Sequence, residues 1–199
     1  MAVSDVSICN LALQKLGAGR ITSLTEDSRN ARSCNACYTL IRDKELRAHP
    51  WTFAVKRVVL APDATAPAFD FDYAFAIPQD CLRILPPNTP LIDWKLENNK
   101  ILTNAGNSLN LIYIARIEDP TVYDACFDEA LAAKLAWHLC EEITQSNQKK
   151  ADAMNEYKDA IRTARRTNAF EKLADAPPED SWNLARDLGS AVDNTRRFF

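Results

Sequence analysis

Near both ends of the chain apolar residues recur at helical spacing, while in the middle they alternate with polar ones. Ile8, Leu11, Ala12 and Leu16 fall at 0, +3, +4 and +8, one face of a helix over Asp5–Leu16. Ser4 is placed to cap its start, and Gly17 and Gly19 to stop it. Residues 18–26 form a short link whose Ile21 and Leu24 are expected to tuck against a core. A second helix starts near Asp27 or Ser28. Its Ala31, Cys34, Tyr38, Ile41 and Glu45 step by 3, 4, 3 and 4, Cys37 and Leu40 widen the stripe, and Leu46 closes it. Asp43 and Arg47 are spaced as an i,i+4 ion pair. Pro50 ends the helix, because the residue before a proline is pushed out of the α region.

The middle of the chain changes period. Residues 51–60 are rich in aromatic and β-branched side chains and read as a strand. Pro62 and Pro67 bound a loop. Phe69, Phe71, Tyr73, Phe75 and Ile77 then alternate with Asp70, Asp72, Ala74 and Ala76, the pattern of a half-buried strand that Pro78 stops. Residues 81–85 read as a short strand before the prolines at 86, 87 and 90. Residues 92–97 and Lys100–Thr103 flank Asn98-Asn99, a two-residue hairpin turn, since asparagine tolerates positive φ. Residues 109–117 are the last strand. The segment therefore reads as a small antiparallel sheet or sandwich of about five or six strands.

Helical spacing returns after Asp119-Pro120, read as an N-cap with proline in the first turn. Between Ala130 and Cys140 the only polar side chains are Lys134 and His138. Leu131, Leu135 and Leu139 step by four, and Ala132, Ala133, Ala136, Trp137 and Cys140 cover the other sides. A helix apolar nearly all round is buried nearly all round, at a bundle centre or against another subunit. Leu131, Leu135, Trp137 and Leu139 are therefore candidates for subunit packing. Residues 145–148 are a polar break. A fourth helix follows over 149–173, with Ala151, Met154, Tyr157, Ile161, Ala164 and Asn168 as its inner stripe. Its other face carries Arg162, Arg165 and Arg166, with Asp159 placed to neutralise Arg162. Pro177-Pro178 break this helix, yet Trp182, Leu184, Leu188, Phe198 and Phe199 stud the tail beyond. Large apolar groups on a tail call for a surface to bury them, so docking on a neighbouring chain is expected, ahead of folding back on its own subunit.

The fold expected is α+β. An antiparallel bundle of about four helices comes from both ends of the chain, residues 1–50 plus 119–173. A small antiparallel β domain is inserted at 51–118, and an extended C-terminal tail occupies 174–199.

Composition narrows the class only a little. The chain has 199 residues, 47% apolar and 26% charged, with Lys+Arg 24 against Asp+Glu 27 and a formal net charge of -3. These values exclude wholesale disorder and a fibrous repeat. A chain of this length buries roughly 70% of its unfolded surface. There is no run of about 18 apolar residues, so no membrane span is expected. The start lacks the basic and apolar regions of a signal peptide. The acidic balance argues against a general nucleic-acid binder.

Candidate chemistry is sparse. Six cysteines, Cys9, Cys34, Cys37, Cys81, Cys126 and Cys140, include one CxxC. No second CxxC accompanies it, and His49 and His138 lie far apart, so zinc ligation is not expected. Cys34 and Cys37 share one helical face, and free thiols used as small apolar residues fit best. His49 reads as a helix-end or turn residue, His138 as a hydrogen-bonded core or interface residue. HExxH, GxSxG and Walker-type signatures are missing, and Gly17-Ala18-Gly19 follows a helix rather than a strand. Asp70 and Asp72 would stand about 7 Å apart on one strand face, a spacing that suits glycoside hydrolysis, but a solvated outer face is the simpler reading. The Arg162, Arg165, Arg166 cluster could meet phosphates, though a solvated or subunit-bridging face fits better. No catalytic residue, metal site or cofactor is therefore expected.

Several segments in order carry a resemblance. The opening Ile8-Cys9-Asn10-Leu11-Ala12-Leu13-Gln14-Lys15-Leu16-Gly17 is followed by Ile21-Thr22-Ser23-Leu24 and Glu26-Asp27-Ser28. A helix then ends in His49-Pro50-Trp51-Thr52-Phe53-Ala54. Next come Phe75-Ala76-Ile77-Pro78, Trp94-Lys95-Leu96-Glu97 with Ile101-Leu102-Thr103, and Tyr113-Ile114-Ala115-Arg116. Tyr123-Asp124 through Phe127, Ala130-Leu131 and Leu135-Ala136 complete the series. This order resembles the tail tubular protein A family of tailed bacteriophages, the head-to-tail adaptors, over residues 5–170. The resemblance implies a non-enzymatic virion protein at the head-tail interface, made in the bacterial host cytoplasm. It implies a homo-oligomeric ring, typically of twelve subunits, that binds the portal protein. Such a ring receives the tail nozzle or next tail component and lets genomic DNA pass without specific binding. It also implies a helical bundle with an inserted β domain, and a C-terminal segment that reaches the portal. Trp182, Leu184, Leu188, Phe198 and Phe199 are then the candidates for portal or neighbouring-subunit contact. Two other classes compete: a wall-degrading hydrolase of a phage using acidic residues, and a nucleic-acid-binding regulator working through the Arg162–Arg166 helix.

Overall fold

Ser4 and Ser7 open the first helix by capping each other. Ser4 Oγ accepts from the Ser7 amide at 3.2 Å, and Ser7 Oγ accepts from the Ser4 amide at 2.8 Å. Helix α1 (Asp5–Leu16) ends at Gly17, whose φ of 73° lets its amide and that of Ala18 close back on Gln14 and Leu13. In the link, Asn10 clamps Ile21 through both backbone groups at 2.8 Å, and Ile21 is buried as expected. Ser28 caps α2 (Arg29–Ala48), and His49 leaves it in extended conformation before Pro50. The computed structural model describes residues 3–85, 93–104 and 106–171. The tail candidates Trp182, Leu184, Leu188, Phe198 and Phe199 and the prolines at 86, 87 and 90 lie outside the described residues.

Among the described residues the fold is mixed α+β: four α-helices and two three-stranded antiparallel sheets. The strands are β1 (Val55–Leu60), β2 (Tyr73–Ala76), β3 (Cys81–Ile84), β4 (Trp94–Glu97), β5 (Lys100–Thr103) and β6 (Leu109–Ala115). Their orders are β1-β6-β3 and β2-β5-β4. Helices α3 (Ala125–Thr144) and α4 (Asn147–Phe170) follow.

Several boundaries depart from the pattern reading. Residues 51–60 are not one strand: Thr52–Ala54 form a single 3₁₀ turn before β1. Trp51 causes this, being 1% exposed in the helical core with its indole N–H donating to the Glu45 carbonyl at 3.0 Å. The chain must turn there before it can run out as a strand. The alternation at 69–77 holds only over β2, because its partner β5 ends at Thr103, opposite Tyr73. Before that point the chain bends: Asp70 has φ 68°, and Asn104 Oδ1 takes the Asp72 amide at 2.8 Å. Asp119-Pro120 opens only a 3₁₀ turn, Pro120–Val122, and α3 is capped by Asp124 instead. The α4 stripe enters at Ala153 and runs through Ile161, Ala164 and Asn168, leaving Ala151 and Met154 exposed. The hairpin turn is as expected, with Asn98 and Asn99 at φ 46° and 58°.

Two apolar cores result. Leu109, Leu111, Tyr113 and Ala115 of β6 join Phe75 and Ile101 in one. Ile114, on the opposite face of the same strand, joins the other with Trp51, Phe127 and the inner residues of α1, α2, α3 and α4. Within that second core α3 packs against each of the other three helices.

Candidate functional site

The most concentrated polar chemistry inside the fold lies where α2, α3 and α4 meet. Glu45 of α2 and Lys134 of α3 are both buried, with Lys134 Nζ 3.5 Å from Glu45 Oε1. Tyr157 of α4 directs its hydroxyl at both Glu45 oxygens, each 3.0 Å away. The ammonium of Lys134 lies 4.1 Å from the Tyr157 ring centroid and 4.7 Å from that of Trp137, and the two rings stack at 6.4 Å. Burial and the Glu45 charge push the Tyr157 phenol up, out of titration range. Each charged group is thus satisfied inside the chain. The knot fixes three helices and offers no free group to a substrate. The pattern reading placed Glu45 on an apolar stripe and Lys134 in an apolar run without pairing them. Two opposite charges on two buried faces were the available signal.

Leu131, Leu135 and Leu139 are buried in this chain's own helical core, the bundle-centre alternative of the two that the pattern offered. Of the four candidates only Trp137 keeps part of its surface, beside Tyr157. His138 is exposed, so it is not a core histidine. His49 is a helix-end residue as expected, its Nε2 3.0 Å from Asn168 Nδ2 and its ring edge-on to Trp51.

Asp43 does not pair with Arg47. It takes Arg42 Nε at 3.0 Å and Arg116 Nε at 2.8 Å, tying α2 to the chain leaving β6, while Arg47 donates to the Leu82 carbonyl. Tertiary partners outcompete the exposed i,i+4 neighbour. Asp70 and Asp72 are both exposed to solvent, as the simpler reading has it, but they lie on a bend before β2 rather than on one strand face. Arg162 pairs with Asp159 at 3.1 Å as expected, and the Arg166 guanidinium stands 5.8 Å from the Phe170 ring.

The six cysteines are free. Cys9 and Cys34 are buried together across α1 and α2, and their hydrogen bond together with burial pushes the Cys9 thiol up. Burial likewise raises Cys37, to about 11. Among the described residues no group of three or more His, Cys, Asp or Glu is placed to hold a metal ion. Nor is any helix there long and apolar enough to cross a membrane.

On the surface, large apolar side chains stand out on separate elements: Leu40 on α2 (72% exposed), Val59 on β1 (67%), Phe69 in the loop before β2 (78%) and Phe170 at the end of α4 (77%). Two open clefts accompany them. One of about 350 Å³ lies between that loop and the β4-β5 hairpin, lined by Phe69, Phe71, Lys95 and Lys100. The other, of about 450 Å³, lies between α1 and the start of α3. No protein-family model and no curated protein matches this chain.

Proposed function

We propose that this chain is a structural virion protein, a head-to-tail adaptor that forms a ring, twelve-fold by the resemblance, between portal and tail. Residues 1–50 plus 119–173 make the bundle domain of each subunit, and 51–118 the inserted β domain. The tail at 174–199 reaches the portal or a neighbouring subunit. The observation that carries this reading is the path of the chain: α1 and α2, from before the strands, pack with α3 and α4, from after them, in one core. That is the arrangement the resemblance implies. The exposed Leu40, Val59, Phe69 and Phe170 support it further, since a ring subunit needs lateral and axial contacts on separate elements. In this reading α3 is the bundle centre and lateral contact falls to those exposed side chains. The net charge of -3 suits a channel past which DNA slides. The test is electron microscopy of the protein mixed with the portal of the same phage. A ring stacked on the portal is expected; a protein that stays monomeric and unbound with portal in excess overturns the reading.

A further inference from the structure

Between Arg116 and Lys134 the chain carries five carboxylates, Glu118, Asp119, Asp124, Asp128 and Glu129, and no basic residue. This stretch turns through Pro120–Val122 and enters α3, with Glu118, Asp119 and Glu129 exposed. Among the described residues none of the five forms an ion pair. In their midst Val122 stays 48% exposed. The second half of α4 has the opposite character. Arg162, Arg165 and Arg166 are exposed there, off the buried stripe of Ile161, Ala164 and Asn168. Asp159 answers Arg162 alone, and Arg165 and Arg166 meet no carboxylate among the described residues. Phe170 lies beside them, 77% exposed, with the Arg166 guanidinium 5.8 Å from its ring.

Helix dipoles do not account for this pattern. Their effect is confined to the terminal turn, yet the last turn of α4 carries no basic residue, and Glu118 and Asp119 precede α3 altogether. Nor does a solvated charged face call for a large apolar group in each patch. Arginine beside an exposed aromatic ring is the composition of a protein-binding surface. A nucleic acid would answer the arginines and leave the acidic patch without a partner. A second copy of this chain answers both, since its carboxylates match the arginines and its Val122 matches Phe170. We propose that the arginine face of α4 in one copy docks on the acidic entrance to α3 in the next. Complementary potentials select this pairing over like-on-like contact. The contact joins unlike faces, as closure of a ring requires, and so deepens the adaptor reading, on which the ring itself rests.

The test is sedimentation velocity of the full chain at pH 7.5 and about 0.1 mM, in low salt and again in about 0.5 M salt. Self-association is expected in low salt and weakens in high salt, because exposed charges are screened. Arg165→Glu with Arg166→Glu should weaken it at least tenfold, and so should Glu118→Lys with Glu129→Lys. These four side chains are exposed and hold no hydrogen bond or ion pair among the described residues, so both double variants are expected to fold. Phe170→Ser leaves every charge in place, should weaken association several-fold, and serves if a reversal fails to fold. All four reversals in one chain exchange the signs and should restore the association of the parent. A parent that stays monomeric in low salt, unchanged association in either double variant, or no recovery in the fourfold variant overturns the proposal. Short duplex DNA bound by the parent and released by Arg165→Glu with Arg166→Glu, without self-association, assigns the arginines to nucleic acid and overturns it too. A chain that self-associates in this way but ignores the portal sinks the adaptor reading alone. Rings that form undiminished on the portal with both double variants sink this contact alone.

Discussion

The Tyr157 hydroxyl stands 3.0 Å from each carboxylate oxygen of Glu45, a bond from the last helix of the described chain to the second. With Lys134 Nζ also 3.5 Å from Glu45 Oε1, Glu45 is a buried anion held by one neutral and one cationic donor. Tyr157→Phe keeps the ring over Lys134 and removes only the hydroxyl. A hydrogen bond to a charged group contributes about 1.5–3 kcal/mol, and that loss is expected in urea unfolding at pH 7. A change under about 0.5 kcal/mol would show that water replaces the hydroxyl.

Lys134→Met should cost more, about 3–5 kcal/mol, because it leaves the Glu45 charge buried with Tyr157 alone. Adding Glu45→Gln to it removes the charge while keeping an acceptor for Tyr157. The double variant is therefore expected to be more stable than Lys134→Met, and a double-mutant cycle by chemical denaturation checks it. Simple additivity would mean that the ion pair carries no coupling.

The β4-β5 hairpin closes on two asparagines, both with positive φ. Asn99→Gly removes the steric cost of the left-handed conformation and should stabilise by about 0.5–1 kcal/mol. Asn99→Val, β-branched at the same position, should destabilise by about 1–2 kcal/mol. Thermal unfolding of both variants reads the difference, and the same sign for both would exclude this account of the turn.

What was legible in the sequence was local. Ser4, Ser28 and Gly17 announce helix ends because capping depends on a few neighbouring atoms, and Asn98-Asn99 announces its turn for the same reason. Alternation at 69–77 misled because a strand also needs a partner, and β5 runs only from Lys100 to Thr103. The apolar surroundings of α3 were legible, but their choice between a subunit interface and this chain's own helices was not. Periodicity reports that a face is covered and not what covers it. For the Glu45, Lys134 and Tyr157 knot the sequence carried only a hint, opposite charges on two buried faces, since the pairing depends on which helices meet.

Cys37 lies beside Cys34 on α2, and burial holds its thiol near 11, against an ordinary value of 9.0. At pH 8 its thiolate fraction falls about a hundredfold below that of an unshifted thiol, and alkylation by iodoacetamide should slow to a similar degree. Peptide mapping of the alkylated sites over time measures this. Alkylation of Cys37 at the rate of a free thiol would show that α2 opens locally far more often than its packing implies.

Asp128 should make the protein less stable as pH rises from 4 to 7. Its folded-state carboxyl titrates at about 6, above the ordinary 3.8. Between those values the folded chain binds more protons than the unfolded chain, so stability falls with rising pH and the loss is complete above 6. Asp128→Asn cannot ionise and escapes that loss. A carboxyl raised that far would cost about 3 kcal/mol in a dry site, but the side chain is only half-buried, and solvent screening reduces the expected gain of the variant to about 1 kcal/mol. The variant should therefore match the parent at pH 4 and exceed it at pH 8, as read by urea unfolding at both pH values.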